Sequence, residues 1–252
     1  NLFELKPAHL CEDLLEMYSE LDKIKIPPIK ISVTGDGRVA GGVLEILEHL
    51  KIKRVSPKSF LNEKETNPVY TQLLPANYVQ RKDGSTFDLI HFFNHPEMYK
   101  NAFQPFANAT DMLIASAYWH PKAPVLFTTD EMKQDDFNIS IISDITCDIE
   151  GSIPSTKKAS TINDPFYDYN PETGELETAF SNFNNISVQA VDNLPCELPK
   201  DASLDFGRNL IEKVFPSLFG NDVDEVVKRG SITKEGKLTE RFSYLQGFAD
   251  GE

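Results

Sequence analysis

Residues 29–50 read IKISVTGDGRVAGGVLEILEHL, and this stretch decides the fold. Ile29, Ile31 and Val33 form a short β-branched run, the signature of a buried strand. Gly35-Asp36-Gly37-Arg38-Val39-Ala40 follows as a G-x-G-x-x-A turn, and Val43, Leu44, Leu47 and Leu50 then recur at helical spacing. In a strand–turn–helix unit of this kind the first glycine permits the tight turn. The second lets backbone approach a pyrophosphate, and the small Ala40 lets helix pack on strand. Amides exposed at the helix mouth, with the helix dipole behind them, supply positive potential to phosphate. Gly35, Gly37, Arg38 and Val39 are therefore candidate dinucleotide-binding residues.

Outward from this unit, further apolar runs recur at Lys53–Ser56, Phe87–Phe93, Met112–Trp119, Val125–Phe127, Ile139–Ile142 and, later, ISVQAV at 186–191. Helical patterns fall between several of them, notably over 95–108. Strands apolar on both faces that alternate with helices predict a parallel sheet covered on both sides, a doubly wound α/β fold. Ahead of it, LCEDLLEMYSELD at 10–22 predicts an amphipathic helix, which the Pro27-Pro28 pair separates from the first strand. Residues 151–185, rich in Ser, Thr, Asn, Asp and Pro, read as loop. Residues 201–219 read as helix, with Phe206, Leu210, Ile211 and Val214 on one face, and the tail as a glycine turn and a short helix.

The 252 residues are 40% hydrophobic and 25% charged, ordinary for a chain that buries a core. A net charge of −14 repels nucleic acid and anionic lipid, which argues against either as partner. No apolar run reaches the roughly 18 residues of a membrane span, and no secretory signal is visible. Three cysteines (Cys11, Cys147, Cys196), odd in number and far apart, favour a reducing, cytoplasmic setting. The first residue is Asn1 rather than Met, which suggests that sequence is missing upstream.

In dinucleotide folds the residue that selects the cofactor ends the second strand, roughly 20 residues past the glycines. Here that region is Arg54-Val55-Ser56-Pro57-Lys58. It carries no acid to take ribose hydroxyls. A hydroxyl at Ser56 between basic residues suits a 2′-phosphate, so NADP is favoured over NAD; otherwise Arg54 and Lys58 are solvated surface charges. At the carboxyl ends of later strands, Ala117 and Tyr118 in SAYW could leave room for a nicotinamide ring, or Tyr118 and Trp119 could be plain core. Asp144 and Asp148 flank Ile145-Thr146-Cys147, where they either order the loop or face the cofactor. Cys147 has no histidine near it in sequence and reads as a buried small residue rather than a nucleophile. His91 and His95 are four apart but straddle a predicted strand end, so no metal pair is expected. No G-x-S-x-G, Walker or HExxH sequence occurs.

Three segments together carry a family resemblance: VTGDGRVAGG (33–42), ISDITCDIEGSI with STINDPFYDY (142–153, 160–169), and AVDNLPCELPKDAS (190–203). With NHPEMY (94–99) and SAYW (116–119) supporting them, this set resembles the lysine–2-oxoglutarate reductase and saccharopine dehydrogenase group of the alanine dehydrogenase/transhydrogenase superfamily. The resemblance implies two Rossmann-like domains with NAD(P) in the cleft between them. It implies that residues 27–203 are the cofactor domain, and that 1–26 and 204–252 are the pieces returning to a second domain largely outside this chain. About 130 further residues, one domain of typical size, would complete it.

By resemblance, Gly37 and Arg38 contact the pyrophosphate, Ala117, Tyr118 and Ile145 line the nicotinamide side, and Val191, Asp192, Asn193 and Leu194 close over the cofactor. The catalytic acid and base are implied on the missing domain, so none is assigned here. The implied activity is hydride transfer between NAD(P)(H) and the C–N centre of an amino acid, with lysine and 2-oxoglutarate giving saccharopine or the reverse. An alanine dehydrogenase-like enzyme and a non-catalytic dinucleotide-binding module are the alternatives. Expected partners are an amino acid and a keto acid; a homo-oligomer is compatible with the reading.

Overall fold

A computed structural model describes residues 4–251. They divide into two compact units, the first ending at Glu197 and the second beginning at Leu198.

The first unit is built on one sheet. Its strands are β1 (Lys30–Thr34), β2 (Lys53–Arg54), β3 (Val69–Leu73), β6 (Met112–Ala115), β7 (Ile141–Asp144), β8 (Phe166–Tyr169), β9 (Leu176–Glu177) and β10 (Ile186–Gln189). The short pair β4 (Val79–Arg81) and β5 (Tyr99–Asn101) forms a separate antiparallel ribbon. The sheet order is β2-β3-β1-β6-β7-β10-β8-β9, parallel from β2 through β10 and antiparallel for the last two strands. This is a mainly parallel, Rossmann-like α/β architecture, as the residue pattern around 29–50 predicts.

Both faces are covered, which is why the central strands are apolar on both sides. One face holds Ile31, Val33, Tyr70 and Ile114 against Leu47, with Val43 and Leu44, from helix α2 (Arg38–His49). The other holds Val69, Leu73, Leu113, Ala115 and Ile142 against Phe60, Phe103 and Phe106. The period of two along β3 and β6 sorts these side chains between the two layers. Helix α1 (Leu14–Leu21), capped by Asp13, docks on α2. There Tyr18 stacks on His49 at 4.0 Å and donates to Glu45 at 2.6 Å.

Several local expectations fail, each for a visible reason. Phe87–Phe93 is not a strand. Asp88 accepts from the amide of His91 and caps a helix over Leu89–Asn94, so a run read by its hydrophobicity alone took the wrong period. His91 and His95 consequently lie at one helix end, ring centroids 5.0 Å apart, with His91 bonded to the Tyr99 hydroxyl. Val125–Phe127 is loop, with Leu126 and Phe127 buried as plugs. Residues 95–108 hold a short 3₁₀ turn, β5 and a helix at Gln104–Ala109, not one helix. The segment 151–185 contains β8 and β9, which the polar composition conceals.

Strand β3 went unread because Thr71 and Gln72 break its apolar run. Their side chains are satisfied by neighbouring backbone: Thr71 Oγ1 donates to Val55 O at 3.1 Å, and Gln72 Nε2 donates to Gly35 O at 2.8 Å.

The second unit carries a helix over Pro199–Asn209 that continues through a π turn at Leu210–Val214 into Phe215–Phe219. A two-stranded ribbon (Thr233–Lys234 with Lys237–Leu238) turns on Gly236, and a final helix spans Gln246–Asp250. Phe206, Ile211 and Phe219 are exposed. Among the described residues no helix is long and apolar enough to cross a membrane.

Candidate functional site

Chain direction across the sheet reverses between β1 and β6: the segments after β1 build outward to β3 and β2, those after β6 outward to β7 and β10. Open α/β sheets bind ligands at that switch point, outside the carboxyl ends of the strands. The loops after β1 and β6 meet there. Gly35 has φ +96°, and a Cβ on it would lie 3.1 Å from Ala117 Cα and 3.3 Å from Ala117 N. The glycine is thus required twice, for its left-handed backbone and for its approach to the facing loop. Thr34 and Ser116 tie the two loops together, Ser116 N donating to Thr34 Oγ1 at 3.2 Å and Ser116 Oγ to Thr34 O at 2.5 Å.

Gly37 differs. Its φ of −75° suits any residue, and an added Cβ would meet nothing within 4 Å. It is the N-cap of α2 and contributes no side-chain cap, so the helix mouth opens on free space. Nothing inside the protein needs glycine there; a phosphate seated on the first-turn amides of Arg38, Val39 and Ala40 would. The site fits a dinucleotide on this ground. Asp36, exposed between the two glycines, is the one feature of the loop that works against an anion.

Two cavities flank the loops. One, of about 590 Å³, is lined by Val39, Ser116, Tyr118, Trp119, Ile145 and Thr146 among others, so it gathers Val39, Tyr118 and Ile145 from three separate segments. Tyr118 stands over it 83% exposed, unlike a core aromatic. The other, of about 240 Å³, is apolar and lies on the opposite face, lined by Thr34, Tyr78, Phe92, Phe93, Ala117 and Trp119 among others. Burial, with Asp36 adding, pushes the Tyr78 phenol far up. Trp119 lines both cavities, and its ring N–H reaches Pro124 O at 3.3 Å.

Asp144 ends β7 and is almost fully buried. It accepts from Thr146 N, Thr146 Oγ1, Cys147 N and Thr156 Oγ1 at 2.6–3.3 Å. Its carboxylate is occupied with holding the loop that carries Ile145, which is one of the two roles the sequence allows. Burial and the carboxylates of Asp144, Asp192 and Asp148 raise the Cys147 thiol, which donates to Ala190 O at 3.1 Å. Val191 is buried and paired with Ser160, whereas Asp192 and Asn193 are exposed and Leu194 is half-buried. None of these four lines either cavity.

Ser56 lies two residues past the edge strand β2, and β3 stands between β2 and β1. Its hydroxyl caps the helix over Pro57–Asn62 by accepting from Ser59 N at 3.1 Å, and bonds Ser59 Oγ. Gln72 reaches the site without any sequence motif to announce it, since strand order places it there. Among the described residues no cluster of His, Cys, Asp or Glu could hold a metal.

A parallel sheet with a glycine loop at its switch point defines an α/β protein of the Rossmann-like class. No family model matches the chain. Its curated homologues are alpha-aminoadipic semialdehyde synthases, in agreement with the resemblance carried by the three motifs. The Arabidopsis thaliana protein is 28% identical over 254 residues, covering 91% of this chain and 24% of the relative. The mitochondrial Mus musculus and Rattus norvegicus proteins are each 27% identical over 251 residues, covering 88% of this chain and 27% of theirs. The chain therefore spans about a quarter of the length of the curated relatives it matches.

Proposed function

We infer that this chain is the dinucleotide-binding part of an oxidoreductase acting at the C–N centre of an amino acid, with lysine and 2-oxoglutarate giving saccharopine, or the reverse. The observation that supports it is the pair of glycines at the switch point: Gly35 closed against Ala117, and Gly37 open where a diphosphate would sit. The names of the homologues point to the same chemistry.

A bound nicotinamide supplies the hydride; the chain's own residues hold and orient it. The amides of the α2 mouth, at Arg38, Val39 and Ala40, take the diphosphate, and Tyr118, Ala117 and Ile145 border the ring. Residues 191–194, which the resemblance sets over the cofactor, would close on it through the exposed Asp192 and Asn193 and not through the buried Val191. Asp144 acts through the loop it orders. No acid or base is assigned among the residues of this chain. NADP is favoured over NAD, because neither β2, running into Arg54-Val55-Ser56, nor β3, running into Leu73-Leu74-Pro75, ends in an acid. The cysteines, all free, suit a reducing compartment. We keep the cytoplasm as the proposed location beside the mitochondrial naming of the mammalian relatives.

The second reading is a dinucleotide-binding module without turnover. Titration with NADPH and NADH by nucleotide fluorescence, followed by NADPH oxidation with lysine plus 2-oxoglutarate on the intact protein from its natural start codon, separates the readings. Binding with oxidation only when both substrates are present supports the enzyme. Oxidation with pyruvate and ammonium instead supports the alanine dehydrogenase-like alternative. Binding without turnover across an amino-acid panel supports the module, and no binding of either nucleotide rejects all three.

A further inference from the structure

An aspartate followed by glycine is chemically unstable, because an amide with no Cβ beside it can reach the aspartyl carboxyl. The chain has three such pairs: Asp36-Gly37, Asp83-Gly84 and Asp250-Gly251. All three aspartates are exposed, so access to water does not sort them. Their bonds do.

Asp83 is held by a fork, with Arg81 Nε donating to Oδ1 at 3.0 Å and Nη2 to Oδ2 at 2.6 Å, and Ser85 N adds a third bond at 2.9 Å. The Arg81 guanidinium keeps its carboxyl well below the usual range, hence ionised and a poor electrophile. The Gly84 amide is occupied in the turn, donating to Arg81 O at 3.2 Å. Asp250 accepts from Gln246 Nε2 at 2.9 Å, and Gly251 N donates to Phe248 O at 3.2 Å. Asp36-Gly37 has neither restraint. Among the described residues no hydrogen bond or ion pair engages the Asp36 carboxylate, and none engages the Gly37 N–H at the mouth of α2. The pair lies between two fixed points, Gly35 N on Leu73 O at 2.9 Å and Gly41 N on Gly37 O at 3.0 Å, and a Cβ on Gly37 would meet nothing.

We propose that Asp36-Gly37 is a site of spontaneous backbone modification, isomerising to isoaspartate and thereby opening the glycine loop, and that a dinucleotide seated on the α2 mouth protects it. The Gly37 nitrogen attacks Asp36 Cγ and a C–N bond forms. The carboxyl hydroxyl leaves with the amide proton as water, which closes a five-membered succinimide. Water then adds back. Cleavage of the new bond restores aspartate, whereas cleavage between the nitrogen and the main-chain carbonyl leaves the chain running through Cγ. No oxidant or reductant is needed. The isoaspartyl chain is one methylene longer just where the first-turn amides of Arg38, Val39 and Ala40 must converge, so it no longer presents them together. Protection rests on the reading of residues 35–40 as a dinucleotide loop: a diphosphate on those amides covers Gly37 and holds its peptide away from Asp36 Cγ.

The test ages the wild-type chain and D36E at neutral pH, with and without saturating NADPH. Isoaspartate is mapped by digestion with a protease that cuts before aspartate but not before isoaspartate, followed by mass spectrometry. Isoaspartate at position 36 is expected to exceed that at position 83 by about tenfold or more, since a charge-assisted fork must open before Asp83 can react. NADPH affinity of the aged sample should be lost in the same fraction of molecules that carry isoaspartate at 36. Bound NADPH should slow the change several-fold. D36E, which would have to close a six-membered ring, should keep its starting affinity throughout. Equal isoaspartate at the three pairs, none at 36, or the same rate with NADPH bound overturns the proposal. If isoaspartate gathers at 36 while neither fresh protein binds NADPH or NADH, the dinucleotide reading falls with the protection, and the modification site stands.

Discussion

Replacing Gly37 with alanine separates a ligand-imposed glycine from a structural one. In the folded chain the new methyl meets no atom within 4 Å, and φ −75°, ψ −171° is ordinary extended backbone. Two small terms remain. Alanine is a poorer N-cap than glycine by about 0.5 kcal/mol, and it narrows the unfolded ensemble by about 0.4–1 kcal/mol in the opposite sense. The net change is within about 0.5 kcal/mol of zero, or about 1–2 °C in melting temperature for a domain of this size. Binding should behave differently. A methyl at the closest approach of the diphosphate lifts it off the amides of the helix mouth. The lost charge-assisted bonds are worth about 1.5–3 kcal/mol, a tenfold to hundredfold rise in Kd.

Gly35→Ala is the contrast. Its φ of +96° costs about 1–2 kcal/mol for a residue with a Cβ, and contacts at 3.1–3.3 Å with Ala117 add overpacking. G35A should therefore melt several degrees lower even without nucleotide. Differential scanning calorimetry and calorimetric NADPH titration of both variants give the four values needed. If G37A bound NADPH as the wild type does, the open space at the α2 mouth would not be a phosphate seat, and the argument from the glycine loop would collapse.

Two further outcomes are expected. Tyr118→Ala, at a side chain 83% exposed, should shift thermal stability by under about 0.5 kcal/mol while weakening dinucleotide binding several-fold; a large fall in melting temperature with intact binding would return Tyr118 to the core. Asp168 is fully buried, and burial alone would raise its carboxyl. Bonds from Ser187 Oγ and from the amides of Phe180 and Ser181 outweigh that, and its pKa lies below the ordinary value. A carboxylate depressed in the folded state stabilises above its unfolded pKa, and the contribution fades as pH falls from about 4 through the folded value. Asp168→Asn should cost about 2 kcal/mol near neutrality and flatten the acid limb of a urea-denaturation series; an acid limb as steep as the wild type's would remove Asp168 from the account.

Legibility followed the range of the interaction. Asp13 and Ser56 cap helices through residues three positions away, so such local events can be read along a line of sequence. The helix at Leu89–Asn94 is not legible in sequence although its cap, Asp88, is local, because seven apolar-rich residues satisfy either period. β3 is hidden for the opposite reason. Thr71 and Gln72 look polar in sequence, and only the backbone they meet across neighbouring segments makes them strand residues. The cavity joining Val39, Tyr118 and Ile145 brings the first turn of α2 and two loops together, and each residue can be named from sequence while their common border cannot.

What residues 29–50 determined unaided was a strand, a glycine turn and an amphipathic helix, hence a covered parallel sheet, because backbone sterics and side-chain periodicity act within a few residues. Which strand lies beside β1 was decided by tertiary structure alone. Register and order depend on hydrogen bonds such as Gly35 N to Leu73 O at 2.9 Å, between groups far apart along the chain. No local preference encodes that choice, and through it the neighbour of the glycine loop became Gln72, with Arg54 behind it.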